Sequence, residues 1–154
     1  MESAVNTPLA APGRSLSDSL TINKRDAALE RFAELAGRLL LASLFLLSGL
    51  SKLGAYTATA GYMASAGVPG ALLPAAIALE VVGSLAVILG WKTRVAATLL
   101  AAFSLLTAFL FHNNFGDQIQ MIMFLKNVSI AGGFLLLVAN GAGPLSLDRR
   151  PGLV

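Results

Sequence analysis

Three polar side chains of this sequence stand inside long apolar segments, where such groups are rare. Glu80 lies in one segment, and Lys126 and Asn127 lie in another. If these segments cross a bilayer, an unpaired charge near their middle costs about 3 kcal/mol, so the charged groups are expected to pair or to line a cavity. Glu80 comes 8 residues after Leu72 and Lys126 comes 7 after Ile119, which at ~1.5 Å per residue places both about 11 Å from the same boundary. We therefore predict an ion pair between Glu80 and Lys126.

The predicted pair has two interpretations. An ionisable residue within a membrane is by default a candidate for a ligand or ion site, and Asn127 would contribute to such a site beside Lys126. A buried pair can also be purely structural and hold neighbouring helices in register.

Further polar residues stand at the ends of the apolar segments. Lys52 ends the first segment, and His112 and Asn113 follow the third. We predict that they add hydrogen-bonding groups to the same site, although a lysine alone there is commonly a snorkelling anchor and a histidine alone an interfacial residue. Arg38 lies at the opposite end, where we predict that it reaches a lipid headgroup.

The residue inventory excludes several kinds of catalysis within this polypeptide. It has no cysteine and one histidine, so a dithiol relay and a helix-borne metal site of the usual His/Glu type are not expected. No P-loop or dinucleotide-binding glycine pattern occurs. We find no self-contained catalytic motif, predict no metal, and expect any electron carrier to be bound. The basic residues are scattered rather than gathered in a stripe, which argues against nucleic acid.

The composition predicts a membrane protein of one domain. Of 154 residues, 56% are hydrophobic and 12% are charged, about half the charged share of a soluble domain. Four runs have the length that a bilayer core demands, at 35–53, 72–90, 95–111 and 119–139. The short connection at 91–94 requires a helical hairpin. We predict an all-α integral membrane four-helix bundle over residues 35–140, with a short interfacial helix between spans one and two that is broken at Gly67 and Pro69.

The flanks and the charge distribution predict the orientation. Residues 1–22 are expected to be a disordered tail, residues 23–34 an interfacial helical lead-in, and residues 141–154 a second tail. Nine basic residues fall on one side and only Lys52 on the other, so both termini are predicted to be cytoplasmic. A cleaved signal peptide is the competing interpretation of span one. The nine are Arg14, Lys24, Arg25, Arg31, Arg38, Lys92, Arg94, Arg149 and Arg150.

Short motifs occur in a characteristic order along residues 35–140. They are Gly37-Arg38-Leu39, Ser48-Gly49-Leu50-Ser51-Lys52-Leu53, Gly67-Val68-Pro69, Glu80, Leu89-Gly90-Trp91-Lys92-Thr93-Arg94, Phe111-His112-Asn113, Lys126-Asn127 and Gly132-Gly133. As an ordered set they resemble the DoxX family. The resemblance implies a multi-pass protein of the bacterial inner membrane, commonly labelled an oxidoreductase and related to the quinone-reactive membrane subunit of thiosulfate:quinone oxidoreductase.

Two hypotheses for the function follow. In the first, the chain is a quinone- or small-ligand-binding membrane subunit that serves a redox partner protein; Lys126 or His112 hydrogen-bonds a carbonyl oxygen, and Glu80 holds Lys126. In the second, it is a membrane scaffold or small permease-like protein whose buried pair is structural. Membrane lipids are expected partners in either case, and both a monomer and an oligomer are compatible with the sequence.

Overall fold

The fold of the described residues is a bundle of helices. The computed structural model describes residues 16–149, with side chains from residue 24 onward. Within that range there are five α-helices and no strand. They are α1 (Leu16–Gly54), α2 (Tyr56–Ser65), α3 (Leu73–Leu89), α4 (Thr93–Phe111) and α5 (Gln118–Asn140). All but α2 belong to segments long and apolar enough to cross a membrane, which confirms the predicted all-α membrane four-helix fold.

Helix α1 is longer than the sequence predicted. It begins at Leu16 and continues without a break to Gly54, so the expected lead-in at 23–34 is continuous with span one, and residues 16–22 are helical instead of disordered. The rest of the predicted tail, residues 1–15, lies outside the described residues. Leu29 and Phe32 are 67% and 69% exposed, so this part of α1 contributes little to the core.

The long helices pack as two antiparallel pairs. Helix α1 packs along α3, and α4 packs along α5, whereas α1 and α5 meet only sparsely. Small residues let the helices approach closely, since a side chain at Gly49 would collide with Val81 and one at Gly83 would crowd Leu100. Buried residues from all four helices form the main core. The members are Ala42, Phe45, Ala86, Val87, Ala96, Ala97, Leu100, Ala101, Ala131 and Phe134.

A second apolar cluster lies at the end of the bundle where α1 ends and α3 begins, which we call the mouth. It consists of Met63 from α2, Val68 from the following loop, and Leu73 and Ile77 from α3. The connection between α2 and α3 turns at Gly67, which has a positive φ of 75° that glycine adopts without a steric penalty. Helix α2 therefore covers the mouth as the predicted interfacial segment.

The opposite end of the bundle is closed by residues 141–149. The Asp148 carboxylate accepts hydrogen bonds from the backbone N–H groups of Lys92 and Thr93 at 2.6 and 2.9 Å. The Asp148 N–H donates to the carbonyl of Gly90 at 2.8 Å. The sequence predicted a tail here. Its residues 141–149 dock on the bundle, and Asp148 caps the first N–H groups of α4, which have no partner within their own helix.

Candidate functional site

A buried polar cluster joins α1 to α3 near the mouth. The Lys52 ammonium donates to both carboxylate oxygens of Glu80, at 2.8 and 2.9 Å, and to the Ser48 hydroxyl at 2.5 Å. The Ser48 hydroxyl in turn donates to Glu80 Oε1 at 3.2 Å. Glu80 is only 3% exposed. The cluster therefore gives the buried carboxyl group a counterion, Lys52, and a second hydrogen-bonding partner, Ser48.

The predicted partner of Glu80 was wrong. The ion pair is with Lys52, whereas the Lys126 ammonium lies 3.2 Å from the sulfur of Met123 and its side chain is exposed. Equal depth along two helices brings residues together only when the helices are neighbours. Helix α3 packs on α1, and α5 packs on α4.

The direction of α1 explains how Lys52 reaches Glu80. Side chains on a helix lean toward its N-terminus, and α1 runs toward the mouth. A lysine near its C-terminal end therefore leans back into the bundle. Ser48 stands one turn earlier on the same face, and Gly49 beside it lets α1 approach the backbone of Val81. The four-residue spacing of Ser48 and Lys52, which places both on one face of α1, is the sequence signal for this cluster.

A cavity of about 490 Å³ lies between the two helix pairs at the mouth. Its polar lining includes Ser48, Lys52, Glu80, His112 and Lys126, contributed from α1, α3, the end of α4 and α5. Most of the remaining lining is aliphatic or aromatic. The predicted candidates Lys52, Glu80, His112, Lys126 and Asn127 thus line one space, although Glu80 and Lys126 are not paired.

Aromatic side chains line both ends of the cavity. The rings of Tyr62 on α2 and Phe111 on α4 stack with centroids 5.5 Å apart, and both line the cavity. Phe45 and Phe103 line its inner end and contact each other edge to face at 6.4 Å. A flat ring entering the space would therefore meet aromatic surfaces at both ends.

His112 has a defined partner at the mouth. Its Nδ1 lies 2.9 Å from Oε1 of Gln120, at the start of α5. Since an amide oxygen only accepts, Nδ1 carries the proton in this arrangement, and a neutral imidazole then has a free lone pair on Nε2. Gln120 was not predicted as part of the site. Asn113, which was, is exposed and does not line the cavity.

Sequence comparison identifies the family. Residues 33–113 match the sequence profile of the DoxX family. The chain is 47% identical over 121 residues to the inner membrane protein YqjF of Escherichia coli K12, covering 79% of this chain and 93% of that protein. The chain belongs to the DoxX family. The predicted family is thereby confirmed, and the inner-membrane location has the support of the relative's name.

Two further relatives match shorter stretches of this DoxX-family chain. The E. coli inner membrane protein YphA is 45% identical over 80 residues, which is 49% of this chain and 57% of that protein. The ER-derived vesicles protein ERV29 of Saccharomyces cerevisiae is 32% identical over 79 residues, 48% of this chain and 26% of that protein. No solved structure matches the chain.

Arg38 of this DoxX-family protein is not placed as predicted. Its side chain is 1% exposed and donates through Nη2 to the carbonyl of Leu145 at 2.6 Å. Residues 141–149 fold over it, so its guanidinium does not extend to a lipid headgroup. The sequence prediction assumed an open helix end, and the segment that covers Arg38 lies more than 100 residues later in the chain.

The described part of the chain contains no cluster of three or more His, Cys, Asp or Glu residues that could hold a metal ion. The polar groups around the mouth cavity are a carboxylate, two ammonium groups, an imidazole, a side-chain amide and hydroxyls. Such groups can hydrogen-bond an organic ligand, accept or donate a proton, and balance a charge.

Proposed function

We propose that this DoxX-family protein binds a lipid-soluble ring compound of the quinone class in the mouth cavity and serves as the membrane subunit of a redox partner. The observation that carries the proposal is the cavity itself, which combines an apolar and aromatic lining with a few convergent polar groups. Its volume falls within the ~300–1,000 Å³ of small-molecule sites. The group that exchanges electrons with the bound quinone would belong to the partner protein.

The polar groups have separate roles in this proposal. The three-way contact among Ser48, Lys52 and Glu80 occupies those groups with one another, so they define a rigid polar wall. Among the residues that the structure describes, the Lys126 ammonium has one hydrogen-bond acceptor, a thioether sulfur. Because this is a weak acceptor, the ammonium can donate to a ring carbonyl. The free Nε2 lone pair of His112 can accept a proton from a ring hydroxyl.

One observation favours the alternative, a membrane scaffold with a structural pair. Lys52 and Glu80 neutralise each other and share Ser48, so they fasten α1 to α3 whether or not a ligand is present. A scaffold would need the pair and would leave the cavity unused. The two functions therefore differ in whether blocking the cavity has any consequence.

The test blocks the cavity without touching the polar cluster. Ala76 on α3 lines the cavity, and Ala78 on the same helix is exposed and does not. The protein is purified in mild detergent, extracted with organic solvent, and its bound quinones are quantified by mass spectrometry. We expect quinone in the wild type and in Ala78→Trp, and a loss of at least tenfold in Ala76→Trp. A wild type without quinone, or equal quinone in both variants, would refute the proposal in favour of the scaffold.

A further inference from the structure

We propose that the mouth cavity selects ligands that carry an acidic group, and that Lys126 is the residue that determines this selectivity. This inference rests on the proposed function, because it names the chemical class of ligand for the same cavity. The ligand would join an anionic oxygen to an apolar body, as in a ring hydroxyl ionised at neutral pH or a carboxylate.

The charge balance of the cavity lining is the first argument. Three of its lining residues carry a formal charge at neutral pH with histidine neutral: Lys52, Glu80 and Lys126. The only ion pair among the described residues joins Lys52 to Glu80. These two formal charges cancel, and that of Lys126 remains, so the cavity lining has a surplus of one positive charge.

The position of Lys126 is the second argument. The residue lies 8 positions after the start of α5 at Gln118, about 12 Å along the helix. Its side chain leans toward the mouth but reaches only Met123, which is still about 8 Å from the start of the helix. A lysine that served only as an anchor would gain by extending fully to the interface.

The surroundings of Lys126 fit an amphipathic anion. Leu44, Leu106 and Leu110 line the same cavity and are each partly exposed, so an apolar ligand body could enter between the helices from the lipid. Its anionic oxygen would then replace the thioether sulfur as the partner of the ammonium. A charge-assisted hydrogen bond of this kind is about twice as strong as a neutral one.

The experiment uses two probes that differ in one ionisable hydrogen. They are 2-hydroxy-3-undecyl-1,4-naphthoquinone, whose ring hydroxyl is ionised at neutral pH, and its 2-methoxy ether, which has no acidic proton. Kd values are measured by titration calorimetry on the full-length protein in nanodiscs of neutral phosphatidylcholine. We expect the hydroxyl compound to bind the wild type at least tenfold more tightly than the ether.

The variants assign that preference to one residue. In Lys126→Gln the ratio of the two Kd values should fall close to one while the affinity for the ether stays the same. Lys126→Arg should keep the preference. Lys24→Gln, which removes an exposed lysine of α1, is the matched control and should behave as the wild type. The ether serves as a folding control, because a misfolded variant would lose affinity for both probes. If Lys126→Gln misfolds, Lys126→Arg provides the test: a retained preference for the hydroxyl compound supports the role of the positive charge, and a lost preference contradicts it.

The outcomes separate the two proposals. Equal affinity of the wild type for both probes, or an unchanged preference in Lys126→Gln, would overturn the role of Lys126 and leave the proposed quinone site standing. Binding of neither probe would overturn both proposals. Competition by dodecanoate against the hydroxyl compound would support a lipid carboxylate as the natural source of the anion, and a lack of competition would support an acidic ring.

Discussion

At the scale of single residues, the protein places the carboxyl group of Glu80 inside an apolar bundle. Glu80 is tolerated there because Lys52 donates to both of its oxygens and Ser48 donates to Oε1. The cost of moving an ion pair out of water often cancels its attraction, so the pair need not make the protein more stable than an apolar substitute would. Removing only one partner lowers the stability, because the charge of the other partner is left without a counterion inside the bundle.

A double-mutant cycle tests this pair. Glu80→Gln alone should destabilise the protein by about 3 kcal/mol, because Lys52 loses its counterion in a poorly solvated place. Adding Lys52→Met should recover much of that loss, giving a coupling energy of about 1 kcal/mol or more. Thermal unfolding in detergent provides the measurement. The control cycle combines Glu80→Gln with Lys126→Met, for which we expect additive losses of stability. Coupling in that cycle and not in the first would mean that Glu80 pairs with Lys126 and not with Lys52.

At the scale of secondary-structure elements, the hairpin between α3 and α4 depends on a segment from the end of the chain. Gly90 has a left-handed φ of 67°, and a side chain there would collide with Ser146 and Arg38. Asp148 caps the start of α4 from this segment. Burial alone raises the pKa of Asp148, but the hydrogen bonds from the Thr93 and Lys92 amides, together with the Arg38 charge, lower it below its ordinary value.

The depressed pKa of Asp148 predicts a pH dependence. A carboxylate whose pKa is lower in the folded protein adds stability above its unfolded pKa of about 3.9 and loses it as the pH falls through the folded value. Asp148→Ala should therefore cost about 1 kcal/mol at neutral pH, the usual value of a helix cap, and progressively less below about pH 4. The melting temperatures of the wild type and the variant should converge in acid. Asp26→Ala, at an exposed position of α1, is the control, and a pH-independent deficit in Asp148→Ala would contradict the capping role.

At the scale of the whole molecule, the two ends of the bundle differ in charge and in structure. The mouth holds the cavity and the helix α2, and the other end holds Lys92, Arg94 and the docked segment 141–149. The excess of basic residues at that end predicts that it faces the cytoplasm. The orientation of the termini remains a prediction.

Single cysteines test the orientation, since the chain has none of its own. Asn140 and Asn114 are exposed asparagines at opposite ends of the bundle, so Asn140→Cys and Asn114→Cys form a matched pair. We expect an impermeant maleimide to label Asn114→Cys in intact cells and Asn140→Cys only after the inner membrane is permeabilised. The reverse pattern would invert the topology.

The sequence alone determined the four spans, the hairpin between the second and third, the helix at the mouth and the family. These features depend on length, apolar composition and local turn residues, which act within a few residues of one another. It also singled out all the charged residues that line the cavity, together with His112 and Asn127, because polar groups in apolar segments are conspicuous. Only the tertiary structure decided that Glu80 pairs with Lys52, that Lys126 lies apart from Glu80 beside Met123, and that residues 141–149 cover Arg38. Each of these depends on which helices are neighbours and on where a distant segment docks, and neither can be read from depth along a helix.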